Sequence, residues 1–130
     1  MGIEHVGYAV RDLEAAAAQF ALLGFERSGA AVEDTGRGVR ILFMHGREGG
    51  EIELIAPLEG RPSPVGQWLS KNGPSPYHVC CSAPDIERAV EELRGRGFVV
   101  VERPSPAAAM GGRRVAFLYG RDVGLVELAE

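Results

Sequence analysis

Apolar and polar positions along this 130-residue chain fall into blocks of two different periods. Residues 3–10, "IEHVGYAV", are short-range alternating and rich in β-branched side chains. A strand there puts Ile3, His5, Gly7 and Ala9 on one face. The next block, "RDLEAAAAQFALLGF", changes to helical spacing. Asp12 is placed to cap its start, Ala16, Phe20 and Leu23 form a stripe at four- and three-residue steps, and Gly24 stands where a left-handed terminal residue belongs. Gly36 and Gly38 then mark a turn before the strand "VRILFMH" (residues 39–45). "REGG" (residues 47–50) turns the chain into a further strand, "EIELIAP" (residues 51–57).

The same order then returns. "YHVCCSA" (residues 77–83) reads as a strand, and "PDIERAVEELRGRG" as a helix with Pro84 and Asp85 at its start and Gly97 at its end. "FVVVERP", "RRVAFLYG" and "VGLVELAE" supply the closing strands, with "AAAMGGRR" (residues 107–114) read as a flexible glycine-containing loop. The repetition extends to residue identity. At an offset of 73, residues 5–25 and 78–98 share His5/His78, Val6/Val79, Asp12/Asp85, Glu14/Glu87, Ala16/Ala89, Gly24/Gly97 and Phe25/Phe98, seven identities in 21 ungapped positions. Later strands align at an offset of 74, with Phe43/Phe117, Ile52/Val126, Glu53/Glu127 and Leu54/Leu128, so one residue has been inserted in a hairpin. The expected organisation is therefore a single duplicated domain: module one at 1–58, a proline-containing connector at 59–75 with a short helical segment "VGQWLSK", and module two at 76–130. Trp68 and Leu69 are expected to anchor that segment on the core. Each module alone would bury too little to be stable, so the two are expected to pack on each other or on another chain.

Composition narrows the possible partners. The chain is 45% hydrophobic and 25% charged with a formal charge of −4, ordinary for a globular protein. No Lys/Arg run exceeds two residues, which argues against nucleic acid. No apolar stretch approaches the roughly 20 residues of a membrane span, and the first ten residues carry no signal-peptide or myristoylation pattern. Adjacent Cys80 and Cys81 are badly placed to bridge each other and fit a reducing cytoplasm.

The duplication also repeats a pair of metal-capable side chains. His5 precedes Glu53 by 48 residues and His78 precedes Glu127 by 49, each pair made of a first-strand histidine and a last-strand glutamate. If those strands are neighbours, each His and Glu project from one face, and pseudo-twofold packing brings all four together. A single strand histidine is more often a hydrogen-bonded structural residue, and a single strand glutamate is usually solvated. It is the symmetric recurrence that favours ligands. Two imidazoles and two carboxylates suit one divalent ion of borderline hardness, Mn, Fe, Co, Ni or Zn, with positions left for water or substrate.

This pattern resembles the vicinal oxygen chelate superfamily, which includes glyoxalases, bleomycin-resistance proteins and extradiol dioxygenases. Within it, "HVGYAV", "IELIAPLEGRPSPVGQWLSKNG", "YHVCCSAPDIERAVEELRGRG" and "RRVAFLYGRDVGLVEL" are most similar to the methylmalonyl-CoA epimerase family, with the "SPVGQWLSKNG" connector the most discriminating piece. The resemblance covers essentially the whole chain. It implies an α+β fold of two tandem βαβββ modules forming a curved-sheet metal cleft, a homodimer, and metal ligands at His5, Glu53, His78 and Glu127.

It also implies proton abstraction α to an acyl thioester or related carbonyl, with Glu127 as the carboxylate for one face. Glyoxalase-type chemistry on another small molecule is the alternative enzyme activity. Metal-free sequestration of a drug or metabolite is the alternative from another class; such proteins typically lack the His/Glu quartet. Arg40 and Arg113 are the cations expected to meet a substrate's anionic groups, with an ordinary surface role as the bland alternative. Three departures stand out. The strand where the family carries a second proton-transfer glutamate offers Val39, Arg40 and Ile41, and the family's His-His and His-Pro-Lys sites are Tyr77-His78 and Tyr119-Gly120-Arg121. Glu33, Asp34 and Glu48 lie near by sequence without a placement.

Overall fold

The structure is a computed structural model describing all residues from Met1 to Glu130. It divides the chain into two compact units, His5–Tyr77 and His78–Glu130, the latter together with Met1–Glu4. Secondary structure is mixed α+β.

In the first unit, β1 (Ile3–Ala9) leads into α1 (Leu13–Leu22). Strands β2 (Phe25–Arg27), β3 (Val32–Asp34), β4 (Val39–Gly46) and β5 (Glu51–Pro57) follow, and α2 (Pro64–Asn72) closes the unit. Strand β5 lies between β4, antiparallel, and β1, parallel; β2 and β3 pair one after the other along the far side of β4. Helix α1 starts where Asp12 Oδ1 accepts the Ala15 N–H at 3.1 Å, relieving one of the unpaired first-turn donors. Its end is released by Gly24 at φ +95°. The helix covers one sheet face through a cluster of Val10, Leu13, Ala17, Leu42, Met44, Leu54 and Ala56, each large aliphatic contributing roughly 1.5–3 kcal/mol by leaving water.

The second unit repeats the plan with β6 (Ser75–Ser82), α3 (Ile86–Gly95), β7 (Val99–Pro106), β8 (Arg114–Gly120) and β9 (Gly124–Ala129). Here β9 lies between antiparallel β8 and parallel β6, and β7 forms the outer strand beside β8. Asp85 Oδ1 caps α3 through the Arg88 N–H at 3.3 Å, and Gly97 follows at φ +98°. Ala83, Ile86, Ala89, Val90, Ala116, Leu118 and Leu128 form the helix-side core. The register is conserved between units: Leu42 faces Leu54 as Ala116 faces Leu128. Residues 1–4 join this unit because Gly2 exchanges both backbone groups with Ser82, donating to its Oγ at 3.1 Å and accepting its N–H at 2.8 Å.

The duplication reaches into the turns. A Cβ on Gly46 would lie 2.4 Å from the Gly49 carbonyl oxygen and 3.2 Å from Phe25 Cε1; one on Gly120 would lie 2.6 Å from Phe98 Cε2. Each half thus closes a hairpin by seating a phenylalanine on a bare glycine. Phe25/Phe98 keep the offset of 73 while Gly46/Gly120 already stand at 74, so the inserted residue lies between Phe98 and Gly120. That stretch includes the two register shifts of β7, between Val100 and Glu102 and between Glu102 and Ser105.

Three expectations need revision. Leu23 is the cap of α1 and 72% exposed; the buried stripe runs one residue out of step, through Leu13 and Ala17 with Ala16 and Phe20 beside it. Strands β2 and β3 were not apparent because three residues are too few to show an alternation. The stretch read as a flexible loop is a hydrogen-bonded turn: Ala108–Met110 forms one turn of 3-10 helix, clasped by Ala107 N–H to Arg113 O at 2.9 Å and Gly112 N–H to Ala107 O at 3.0 Å.

Candidate functional site

Strand geometry decides which side chains share a face. In the first unit Phe43 is directly opposite Glu53, and Gly7 is aligned with Glu53 across the parallel pair. Side chains alternate along a strand, so His5, two residues before Gly7, projects from the same face as Glu53 and Phe43. That face is the one α1 does not cover. In the second unit Phe117 is opposite Glu127, and Cys80 is aligned with Glu127. His78 therefore shares a face with Glu127, Cys80 and Phe117.

Each unit consequently holds one buried His–Glu pair. His5 Nε2 lies 3.6 Å from Glu53 Oε1 and His78 Nε2 lies 3.2 Å from Glu127 Oε1. All four residues are buried, at 3–5% exposure. Burying imidazole and carboxylate together is costly unless their charges are compensated. The spacing is informative about how. Two donors each about 2.1 Å from one cation at tetrahedral or octahedral angles stand about 3.0–3.4 Å apart, close to both values. Two imidazoles and two carboxylates also make a borderline-hard donor set fitting a divalent transition metal.

An aromatic ring completes each pair. Phe43 meets His5 in a T-shaped ring contact, centroids 5.3 Å apart and planes at 78°; Phe117 does the same with His78 at 5.5 Å and 86°. The matched phenylalanines were visible in the repeat as an identity, but their contact with the histidines was not, because it depends on cross-strand register. Cys80 is fully buried among Ala107, Val115 and Ala129 and is a small core hydrophobe.

Both arginines are held by carboxylates, and Arg113 is also within electrostatic reach of Glu127. Arg40 is opposite Ala56, out of phase with Phe43 and so on the helix-covered side, with its Nε 3.8 Å from Glu33 Oε1. Arg113 grips Glu4 with both terminal nitrogens, at 3.0 and 2.8 Å, while its Nε donates to Glu130 O at 2.9 Å. The Glu4 hydrogen bonds push its guanidinium pKa further up.

The three acidic residues left without a placement are now located. Glu33 is Arg40's partner and Glu48 lies exposed in the β4–β5 turn. Asp34 is buried opposite Val39, accepting the Arg37 N–H and Nη1 at 3.1 and 2.7 Å. Val39 is four residues along β4 from Phe43, about 13 Å, so Asp34 is no neighbour of Glu53. On the Glu53 face β4 presents Val39, Ile41 and Phe43, and then His45, which is exposed with Nδ1 2.7 Å from Glu51 Oε1. In the connector, Trp68 donates its indole N–H to Ser75 Oγ at 2.9 Å and meets Tyr77 edge-on, while Leu69 is buried. Burial raises the Tyr77 phenol pKa.

A module of this plan, present twice with the same buried pair, has relatives. Residues 4–117 match the profile of the glyoxalase/bleomycin resistance protein/dioxygenase superfamily. The chain belongs to this superfamily. It is 37% identical over 132 aligned positions to the ethylmalonyl-CoA/methylmalonyl-CoA epimerase of Cereibacter sphaeroides, with 98% of this chain and 96% of that one covered. Among solved structures it is similar to methylmalonyl-CoA epimerase from Mycobacterium tuberculosis, with TM-score 0.85, 28% identity, and 99% of this chain and 87% of that one covered. A Streptomyces coelicolor methylmalonyl-CoA epimerase variant in complex with 2-nitronate-propionyl-CoA matches with TM-score 0.83 and 29% identity, covering 99% of this chain and 96% of that one. These superfamily relatives are isomerases, and the α+β fold matches theirs.

Proposed function

We propose that the chain is a metal-dependent epimerase of the methylmalonyl-CoA type, inverting the carbon between the carboxylate and the thioester of a 2-alkylmalonyl-CoA. The observation that carries this reading is the buried His–Glu pair standing at the same register in both halves of a chain whose relatives carry that activity. His5, Glu53, His78 and Glu127 are read as the ligands of one divalent ion, Co, Mn, Ni, Zn or Fe, within a single domain spanning residues 1–130.

When bound, such an ion supplies electrostatic stabilisation to the negative charge that develops on the substrate's oxygens. The protein's part is proton transfer. Glu127 takes the α-proton: the C–H bond breaks, an O–H bond forms on the carboxylate, and the electron pair moves into the thioester carbonyl as the enolate. Inversion then needs a proton delivered to the other face. The strand where the family carries its second carboxylate is apolar on the Glu53 side, with Val39, Ile41 and Phe43. Glu53, the register equivalent of Glu127, is therefore read as the second proton carrier. Arg40 and Arg113 enter as anion-binding groups only by exchanging their present carboxylate partners.

The protein is further read as a cytoplasmic homodimer. Neither cysteine forms a disulfide, and no helix is long and apolar enough to cross a membrane. Val99 and its cross-strand neighbour Tyr119 expose apolar surface on the outer strand pair, as does Val101. Sedimentation analysis tests the stoichiometry.

The function is tested by incubating metal-loaded protein with a single epimer of methylmalonyl-CoA in D2O. The expected result is conversion to a mixture of epimers with solvent deuterium at the α-carbon. Absence of both exchange and inversion under metal-replete conditions overturns the proposal.

A further inference from the structure

Each His–Glu pair carries the same third member. Phe43 and Phe117 occupy equivalent strand positions, each directly opposite the glutamate of its own half. Each meets the histidine of that half in a T-shaped ring contact, at 5.3 and 5.5 Å and at 78° and 86°. Neither ring belongs to the helix-side core of its own unit, although Phe117 also packs against Cys80, Ala107, Val115 and Ala129. Two independent copies of one geometry, on the face that carries the donors, ask for a role connected to the donors.

The physical chemistry supplies one. A histidine's χ2 is a broad, roughly two-fold torsion, so a strand alone fixes where the imidazole is but not its plane. An edge-to-face ring contact prefers one orientation by about 0.5–1.5 kcal/mol, which selects the plane in which Nε2 points towards the neighbouring carboxylate. The phenyl rings also wall the pair with apolar surface, lowering the local dielectric in which imidazole, carboxylate and a bound cation would interact. Groups that orient a ligand are commonly hydrogen-bond acceptors; here the orienting contact is an aromatic ring.

We propose that Phe43 and Phe117 are positioning residues that set the two imidazole planes for cation binding, one in each half. This inference rests on the metal-binding reading of His5, Glu53, His78 and Glu127. It makes the rings determinants of cation affinity beyond whatever they add to packing.

The test uses calorimetric titration of chelator-stripped protein with Mn2+ and Co2+, together with the visible spectrum of the cobalt form. Phe43→Leu and Phe117→Leu keep much of the bulk and remove the ring; Phe43→Tyr and Phe117→Tyr keep the ring. The leucine variants are expected to bind more weakly by more than about twofold and up to about tenfold, with a shifted cobalt spectrum, and the tyrosine variants to stay within about twofold of the parent. Phe98→Leu, a ring seated on Gly120, is expected to lower stability while leaving affinity unchanged. A purely structural role predicts that Phe98→Leu and Phe117→Leu behave alike. Folded leucine variants whose affinity stays within about twofold of the parent overturn the positioning role while leaving the metal reading intact. A parent protein that takes up neither ion overturns both. Should one leucine variant fail to fold, its counterpart in the other half decides the question.

Discussion

His78 Nε2 stands 3.2 Å from Glu127 Oε1, and both residues are buried. The two arrive from neighbouring parallel strands in which Cys80, not His78, is the residue aligned with the glutamate. The pair is thus staggered by two positions, as His5 and Glu53 are about Gly7. A buried imidazole–carboxylate pair repeated with its stagger intact is a donor set that a bound cation would stabilise, and that has thermodynamic consequences.

Cation binding is expected to stabilise the fold. A ligand at about a hundred times its Kd adds roughly 2.7 kcal/mol to unfolding free energy if the unfolded chain does not bind it. Urea denaturation with and without Mn2+ or Co2+ should show that increment in the parent protein and lose it in His5→Ala and in His78→Ala. Metal content after purification without chelator should fall in both variants if, as proposed, each half supplies half of the ligands. Equal metal content in His78→Ala and parent would exclude His78 from the site.

Glu127 and Glu53 should be separable by isotope. In Glu127→Gln and in Glu53→Gln one proposed proton carrier is lost while an oxygen donor remains. Epimerisation is expected to fall by at least about a thousandfold in each, roughly 4 kcal/mol of activation free energy. Each variant should retain α-deuterium exchange on only one epimer, and on opposite epimers. Exchange on both epimers by Glu53→Gln would remove Glu53 from proton transfer and return the second role to another group.

How far the sequence shows this site depends on which contacts are local. The helix boundaries follow from Asp12, Gly24, Asp85 and Gly97, residues that act through their own neighbours, and the repeat makes them doubly legible. His5, Glu53, His78 and Glu127 are visible as a set because duplication preserved their spacing. What the sequence hides is set by register and rotation about the strand. Arg40 sits one residue from Ile41, and that single step turns it to the helix-covered side beside Glu33. Arg113 looks available as a cation until the distant Glu4, at the other end of the chain, is seen to hold it. The ring contacts of Phe43 and Phe117 are hidden for the same reason.

The glycine seats make a stability prediction independent of chemistry. A methyl group at Gly46 would press on the backbone oxygen of Gly49 at 2.4 Å, and backbone in a closed hairpin has little room to yield. Gly46→Ala is expected to lose about 1–3 kcal/mol by overpacking. Gly120→Ala meets the Phe98 and Val123 side chains instead, at 2.6 and 2.7 Å, and should lose less because side chains can rotate away. Chemical denaturation of the two variants checks the order; a Gly46→Ala protein as stable as the parent would contradict the hairpin geometry.

Tyr77 gives the fold an alkaline limit. Burial raises its phenol pKa above the ordinary value of 10.0, because the phenolate loses more hydration than the neutral ring. Below that ordinary value both folded and unfolded chains hold the proton and Tyr77 adds no pH dependence. As pH rises past it, the unfolded chain releases the proton while the folded chain retains it, so folding stability must fall with pH. The fall should level off once the folded phenol also ionises. Phenolate absorbance should show a late-titrating component that disappears in Tyr77→Phe, and the variant's stability should decline less steeply above pH 10 than the parent's. Coincident slopes for parent and Tyr77→Phe would mean that the phenol at the end of the connector is hydrated in the folded protein, against the packing of Tyr77 on Trp68.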